Sequence, residues 1–464
     1  MRVVGVAGVI VATAGLVACA EVGPDFNRPA APVSAQFKEI KGWKLAAPSD
    51  DAPKQEWWQA FNDPVLDRLE GQVAVSNQTL QADEANYRQA LALIAEARAG
   101  LSPTLNFNPS ATRASAAGDQ LNAQVSAGWT LDVWGKTRRS LEQQTAAAAQ
   151  SEAVLANATL AQRGALALAY VQLRQADSML ALLSRTIGQY KRALDIAQNQ
   201  YDAGTTAKSD VITARAQLLG AKAQVINAGV ARATSEHAIA VLTGRPPAAL
   251  AIGPGALARA IPAIPVGLPS ALLERRPDIA AAERAMRAQN AAIGVAEAAY
   301  YPSFTLSAST GYSGNPFIKQ ISGVNPVWSF GLALAEPLFN GGLTDAQVAA
   351  AKAGYDSSVA TYRQTVLTAL QQVEDELSTI RILGQEEKIQ DEAVASAEQA
   401  VQIALNEYRA GTQNFTTVVT AQATALTNEE NALTTRAQRL TAAVNLVVDL
   451  GGGWTGRAQE EGSR

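Results

Sequence analysis

The sequence predicts an α+β membrane protein in which one unit is used twice: two short strands, a very long helix, a tight turn and a returning helix. Three observations carry this. Residues 196–219 (IAQNQYDAGTTAKSDVITARAQLL) and 403–426 (IALNEYRAGTQNFTTVVTAQATAL) are identical at twelve of 24 positions at a constant offset of 207, including Tyr201/Tyr408, Gly204/Gly411, Thr205/Thr412, Val211/Val418 and Ala214/Ala421. No proline lies between Pro109 and Pro246 or after Pro337; proline breaks helix interiors, so both gaps leave room for long helices. A pair of alternating segments stands at the head of each copy.

Taken in order, residues 1–18 read as a lipoprotein signal peptide, with Arg2 as its positive charge and an apolar run from Val3 to Val17. That run is too short and too rich in Gly and Ala to favour a spanning helix. It ends in Leu16-Val17-Ala18-Cys19, which is similar to a bacterial lipobox. Cys19 is the sole cysteine, so no internal disulfide can form, and the expected fate is cleavage before Cys19 with lipid on its thiol. Several acyl chains on one residue anchor stably where one would not. Ala20 rather than Asp follows Cys19, which by resemblance to bacterial sorting signals points to the outer membrane. Residues 19–63 form a lipidated N-terminal segment, 64–244 the first repeat, 245–277 a Pro-rich linker, 278–450 the second repeat and 451–464 a tail.

Helices are expected over Thr137–Tyr201 and Ser209–Leu242, then over Leu343–Tyr408 and Phe415–Val448. About 65 residues at ~1.5 Å each make a rod of roughly 100 Å, some three times the hydrocarbon thickness of a bilayer. The rods are too polar for lipid. Apolar residues recur at three- and four-residue spacing (Leu367, Leu370, Val373, Leu377) and alanine is abundant, as in laterally packed, coiled-coil-like layers. Gly204 and Gly411 supply the positive φ that a helix-ending turn requires.

The strands are expected at 104–113, 121–133, 303–313 and 326–336. In the second, Val125, Ala127, Trp129, Leu131 and Val133 alternate with polar or small residues; in the fourth, Trp328, Phe330, Leu332 and Leu334 do so. Ten residues with one apolar face suit a tilted strand crossing an outer membrane. Pro109 implies a bend or bulge in the first strand. Open sheet edges cannot face lipid and the smallest transmembrane barrels have eight strands, so four strands cannot close alone. Copies must share a barrel, with a helical tube of the same symmetry beneath it; two copies supply too few rods for a wide bore, which favours three copies and twelve strands.

Composition excludes most other classes. Formal net charge is −4 and no basic run suggests nucleic acid. With His237 and Cys19 the only residues of their kinds, imidazole, thiol and zinc chemistry lack material. No phosphate loop follows a strand, and the carboxylates are scattered beside Lys and Arg as on solvated faces. No catalytic residue, metal site or cofactor other than the lipid is expected, and no enzyme activity.

Several motifs then resemble one family, the TolC-like outer-membrane factors and within them the NodT-type efflux lipoproteins. They are Val22-Gly23-Pro24-Asp25-Phe26 with Arg28-Pro29; Trp57-Trp58-Gln59-Ala60-Phe61-Asn62-Asp63-Pro64; Leu272-Leu273-Glu274-Arg275-Arg276-Pro277-Asp278-Ile279 with Ala282-Glu283; and Leu450-Gly451-Gly452-Gly453-Trp454. The resemblance implies a homotrimer with a twelve-stranded barrel, a long periplasmic α-helical barrel and an equatorial belt from 20–63, 245–277 and the tail. It implies the exit duct of a tripartite efflux pump of the RND type, with a periplasmic adaptor and an inner-membrane transporter as partners. It places adaptor docking at the tip turns, Gly204, Thr205, Gly411 and Thr412. Independently of the resemblance, Pro277 and Asp278 suit the start of a helix, with the arginines tying the belt to a neighbouring helix.

The resemblance also implies a constriction just after the turns, ringed by acidic residues. Those positions hold Thr417 and Thr420, and the basic partner's position holds Gln413. The first repeat keeps Asp210, with Arg215 nearby, and Tyr201 and Tyr408 keep the aromatic positions. Closure is therefore expected to rest on helix packing and neutral hydrogen bonds from Thr417, Thr420 and Tyr408. A duct for type I protein secretion uses the same scaffold, but the lipobox and the WWQAFNDP and RRPDI motifs favour efflux. A trimeric adhesin would place its strands together at the C-terminus, whereas these pairs stand about 200 residues apart.

Overall fold

The computed structural model describes residues 21–34, 36–39, 56–114, 118–262, 264, 275–314 and 325–452. The leader, Cys19, Leu272-Leu273-Glu274, Gly453-Trp454, most of the tail and parts of the 19–63 and 245–277 segments lie outside the described residues.

The elements run α1 (Pro64–Ser76), α2 (Gln78–Ala99), β1 (Thr104–Ala114), β2 (Gly118–Leu131), α3 (Lys136–Asp202), α4 (Lys208–Leu242), α5 (Pro277–Glu297), β3 (Ser303–Gly314), β4 (Asn325–Ala335), α6 (Leu343–Arg409) and α7 (Phe415–Asp449). The duplication holds to the residue: α3 and α6 have 67 residues each, and α4 and α7 have 35 each. Helix ends fall within one residue of the expected ones. The strands differ slightly more. Val133 lies beyond β2, where the chain turns into α3, and Glu336 lies beyond β4.

The chain divides into two compact units, one of residues 1–32, 84–154 and 278–365, the other of 33–83, 155–277 and 366–464. Each draws on both repeats.

In the first unit the strands form one antiparallel sheet in the order β1-β2-β3-β4. Pairing is unbroken, and Pro109 faces Ala123 within a one-to-one ladder, so the expected bulge is absent. Because paired residues share a face, the register puts Leu105, Phe107, Val125, Trp129, Leu306 and Phe330 on one side. The other side carries Asn106, Asn108, Gln124, Ser126, Ser309 and Ser329. There Asn108 donates to Ser126 at 3.0 Å, Gln124 donates to Ser309 at 2.7 Å, and the Ser309 and Ser329 hydroxyls lie 2.8 Å apart. The apolar side is uncovered: Trp328 is 79% and Phe330 69% exposed.

The same unit clamps the segment from Glu21. The Val22 amide donates to the Trp134 carbonyl at 3.1 Å. Arg139, buried, reaches the carbonyls of Val22 and Gly23 and pairs with Asp25 and Glu142. A Cβ on Gly23 would stand 2.4 Å from Gly294 Cα, so this close backbone approach requires glycine.

The core of the second unit is built by α1, α3, α4 and α7 around Trp58, Leu69, Leu173, Ile239 and Leu440. Asp63 caps α1, accepting from Val65 and Leu66, with Pro64 opening the helix. Asn77 joins α1 to α2: its side chain accepts from Thr79 and Leu80 and donates to the Leu242 carbonyl. Asp177 accepts from both Arg174 and Arg232, and this group holds the following loop through Gly253, Ile252 and Gly255. Arg276 donates to Asp449 and Gln372, so within this unit the arginine expected to act as a tie does hold the end of the 245–277 segment to α7 and α6. Glu70 is fully buried with neither oxygen hydrogen-bonded. Burial pushes its pKa up to about 8, against the pull of Arg163.

Candidate functional site

The repeated segment forms two matched turns in the second unit. At the end of α3 the Gly204 amide donates to the Tyr201 carbonyl at 2.9 Å, and the Thr205 amide donates to the Gln200 carbonyl at 2.9 Å. At the end of α6 the Gly411 and Thr412 amides bond Tyr408 and Glu407 in the same way, both at 3.0 Å. This is the glycine-ended Schellman arrangement, which satisfies the last carbonyls of each helix. Gly204 and Gly411 have φ of +74° and +72°. Each threonine adds its hydroxyl to the same carbonyl, Thr205 to Gln200 and Thr412 to Glu407.

The copies differ beside the turns. Tyr408 is buried, 4% exposed, edge-on to Phe415 at 5.1 Å and packed among Ala193, Ala197, Ala404 and Val418. Tyr201 is 39% exposed. The Tyr408 hydroxyl lies 3.4 Å from both Thr206 and Asp210, and Thr206 donates to Asp210 at 2.6 Å. Gln200 donates to the Tyr408 carbonyl at 3.1 Å. The two turns therefore pack side by side. Burial raises the Tyr408 phenol above its ordinary value, so the ring stays neutral.

The threonines that replace acidic residues are engaged within their own helix. The Thr420 hydroxyl donates to the Thr416 carbonyl at 2.9 Å, the usual back-bonding of a helical threonine. The Thr417 hydroxyl lies 3.2 Å from Asn414 Oδ1 and 3.4 Å from Gln413 Oε1. Asn414 caps α7 by accepting from the Thr417 amide. Arg215 is exposed on α4. Thr206, Phe415, Gln200 and Asn414 were not singled out from the sequence. Comparing the copies at offset 207 exposes two of them, since Thr206 answers to Gln413 and Lys208 to Phe415.

Among the described residues no helix is long and apolar enough to cross a membrane. The chain thus combines two matched helical hairpins with a sheet that is apolar on one face and polar on the other. The model of the family described as outer membrane efflux protein matches residues 69–245 and 268–452, and the chain belongs to that family. Among its relatives, a probable efflux pump outer membrane protein, TtgC of Pseudomonas putida, is 30% identical over 457 residues, 95% of this chain and 94% of the relative. The pyoverdine export outer membrane protein OpmQ of Pseudomonas aeruginosa is 29% identical over 456 residues, 94% of this chain and 96% of the relative. The solved outer-membrane channel OprN is similar with a TM-score of 0.86 and 28% identity, covering 93% of this chain and 99% of that one. The Campylobacter jejuni CmeC channel, at 20% identity and TM-score 0.86 over 94% of this chain and 96% of that one, shares the fold. The protein is an outer-membrane component of efflux.

Proposed function

We propose that three copies of this chain close a twelve-stranded barrel in the outer membrane and a helical barrel in the periplasm. The assembly forms the exit duct of a tripartite pump, anchored by lipid on Cys19. A periplasmic adaptor docks at the turns of Gly204 and Gly411 and connects the duct to an inner-membrane transporter. The cargo is small molecules, in keeping with relatives named for antibiotics, toluene and pyoverdine. The observation that carries this reading is the sheet. Its outer strands β1 and β4 are each paired on one side only, to β2 and β3, and one face is apolar and exposed, an arrangement lipid tolerates only when the sheet closes with other copies.

At the tip, Tyr408 packed on Phe415, with Thr206 and Asp210 beside it, holds one hairpin against the other and narrows the resting mouth. The test is extraction of the full-length protein in mild detergent, followed by native mass determination and planar-bilayer recording. A trimer with channel activity is expected. A single-copy species that keeps its full β content would refute the reading.

A further inference from the structure

The geometry points to a binding site for a small neutral aromatic alcohol, of the size of a single-ring phenol, in the second unit. It lies between the start of α1, α3, α7 and the loop at 256–258. It depends neither on the number of copies in the assembly nor on what docks at the tip.

The site is a cavity of about 190 Å³. Phe61, Leu66, Val171, Leu257, Leu440 and Val444 supply its apolar wall. A cavity of roughly 150 Å³ lined by such residues holds one benzene ring, so this one has room for a ring with a small substituent. The loop side of the wall is held in place. The Gly255 amide donates to Asp177 at 2.9 Å, and the Leu257 amide donates to the Ser178 hydroxyl at 2.9 Å. An apolar hollow with a few convergent polar groups is the usual form of a small-molecule site.

Asp63, Tyr170 and Arg174 make the polar end. The Tyr170 hydroxyl donates to Asp63 Oδ2 and accepts from Arg174 Nε at 2.9 Å. Burial raises the Tyr170 phenol above its ordinary value, so it keeps the proton it gives to Asp63. Asp63 Oδ1 is taken by the Val65 and Leu66 amides, whereas Oδ2 accepts from Tyr170 alone among the described residues. Arg174 is only 6% exposed. Its Nη1 is taken by Asp177 and the Gly253 carbonyl, and its Nη2 makes no hydrogen bond among the described residues. Because both groups bond the same Tyr170 hydroxyl, a free donor and a free lone pair stand close together. A buried guanidinium favours an acceptor for each donor. A hydroxyl in the cavity accepts from Nη2 and donates to Asp63 Oδ2.

Charge selects a neutral head. Arg174 and Arg232 share one network with Asp63, Asp177 and Glu236, so carboxylates already outnumber arginines. A ligand carboxylate adds a further uncompensated charge in a buried place. An ammonium has no lone pair to accept from the guanidinium. A bound ring touches α1, α3, α7 and the loop together, and so braces the loop.

Fluorine NMR tests the site. Full-length protein in lipid nanodiscs is titrated at neutral pH with 4-fluorophenol, fluorobenzene and 4-fluorobenzoate, and empty nanodiscs give the blank for partitioning into lipid. Saturable binding of one 4-fluorophenol per chain is expected. Fluorobenzene, with no hydroxyl for the buried donor, should bind about tenfold more weakly, and 4-fluorobenzoate should not saturate. Val171→Phe fills the cavity from α3 and should reduce 4-fluorophenol to the blank. Ala256→Phe fills it from the loop and serves if the first variant does not fold. A parent protein indistinguishable from empty nanodiscs overturns the site. Equal binding of 4-fluorophenol and fluorobenzene, or saturation by 4-fluorobenzoate, overturns the polar end and with it the ligand class. Binding that survives in a folded variant with the cavity filled places the ligand elsewhere and overturns the assignment.

Discussion

The hydroxyl of Tyr408 and a carboxylate oxygen of Asp210 lie 3.4 Å apart although 198 residues separate them in the chain. The reciprocal contact does not exist: the residue matching Asp210 is Thr417, and Tyr201 is exposed. The duplicated unit has thus diverged where the hairpins meet, with one aromatic buried as a wedge and its twin left at the surface.

At 3.4 Å the hydroxyl contact is weak, less than about 1 kcal/mol, whereas the buried ring packs closely. Tyr408→Phe should change open probability in planar bilayers by less than about fivefold. Tyr408→Ala, losing a ring worth about 3 kcal/mol of packing, should open the channel far more. Equal effects from the two would refute the wedge.

Glu70 makes stability depend on pH. Its folded pKa, about 8, lies above the ordinary carboxylate value of 4.5 because burial disfavours the charge. The native state therefore keeps a proton that the unfolded chain releases, and stability falls as pH rises from about 4.5 to about 8, then levels off. The loss is of the order of a few kcal/mol. Glu70→Gln should flatten thermal midpoints measured in detergent between pH 5 and pH 9. An unchanged slope would show that another group sets it.

Glycines at similar dihedral angles should differ in tolerance. A Cβ at Gly244 would stand 2.0 Å from the Ser76 carbonyl oxygen, while at Gly411 it would meet nothing within 4 Å. Gly411→Ala should cost only the strain of a positive φ, about 1–2 kcal/mol. Gly244→Ala should add a steric clash and lower the melting temperature clearly further. Comparable melting temperatures would contradict this packing.

Asp177 serves Arg174 and Arg232 at once, at 3.0 Å and 2.7 Å. Asp177→Asn leaves two arginines without their shared carboxylate, at a cost of about 3–5 kcal/mol. Limited proteolysis should then cut within 250–258, the loop this group holds. Resistance equal to the parent protein would show that the loop is fixed by other contacts.

The long helices and their turns were legible in the sequence because proline spacing and a repeated Tyr-x-x-Gly turn are local signals. The sheet was legible through alternation, but its ends were not. Val133 continues the apolar alternation of β2, yet the Asp132 side chain is already committed to the first turn of α3, accepting from the Thr137 and Arg138 amides. Pro109 suggested a bend or bulge, yet the one-to-one pairing runs through it unbroken. The ties at Asp177 and Arg139 and the buried Glu70 were invisible because charged residues on a helical pattern look solvated until the packing around them is known. At the tip, the glycines, threonines and tyrosines were identifiable from the repeat. The division of labour between Tyr408 and Tyr201 was not, because it follows from which neighbours each one meets.

The polar side of the sheet, from Asn106 through Ser126 and Ser309 to Ser329, is made of hydroxyls and amides. Such groups donate as readily as they accept and carry no net charge, so the face favours neither sign of ion. If three sheets close as proposed, this face lines the passage through the membrane, and the choice of cargo then falls to whatever delivers it.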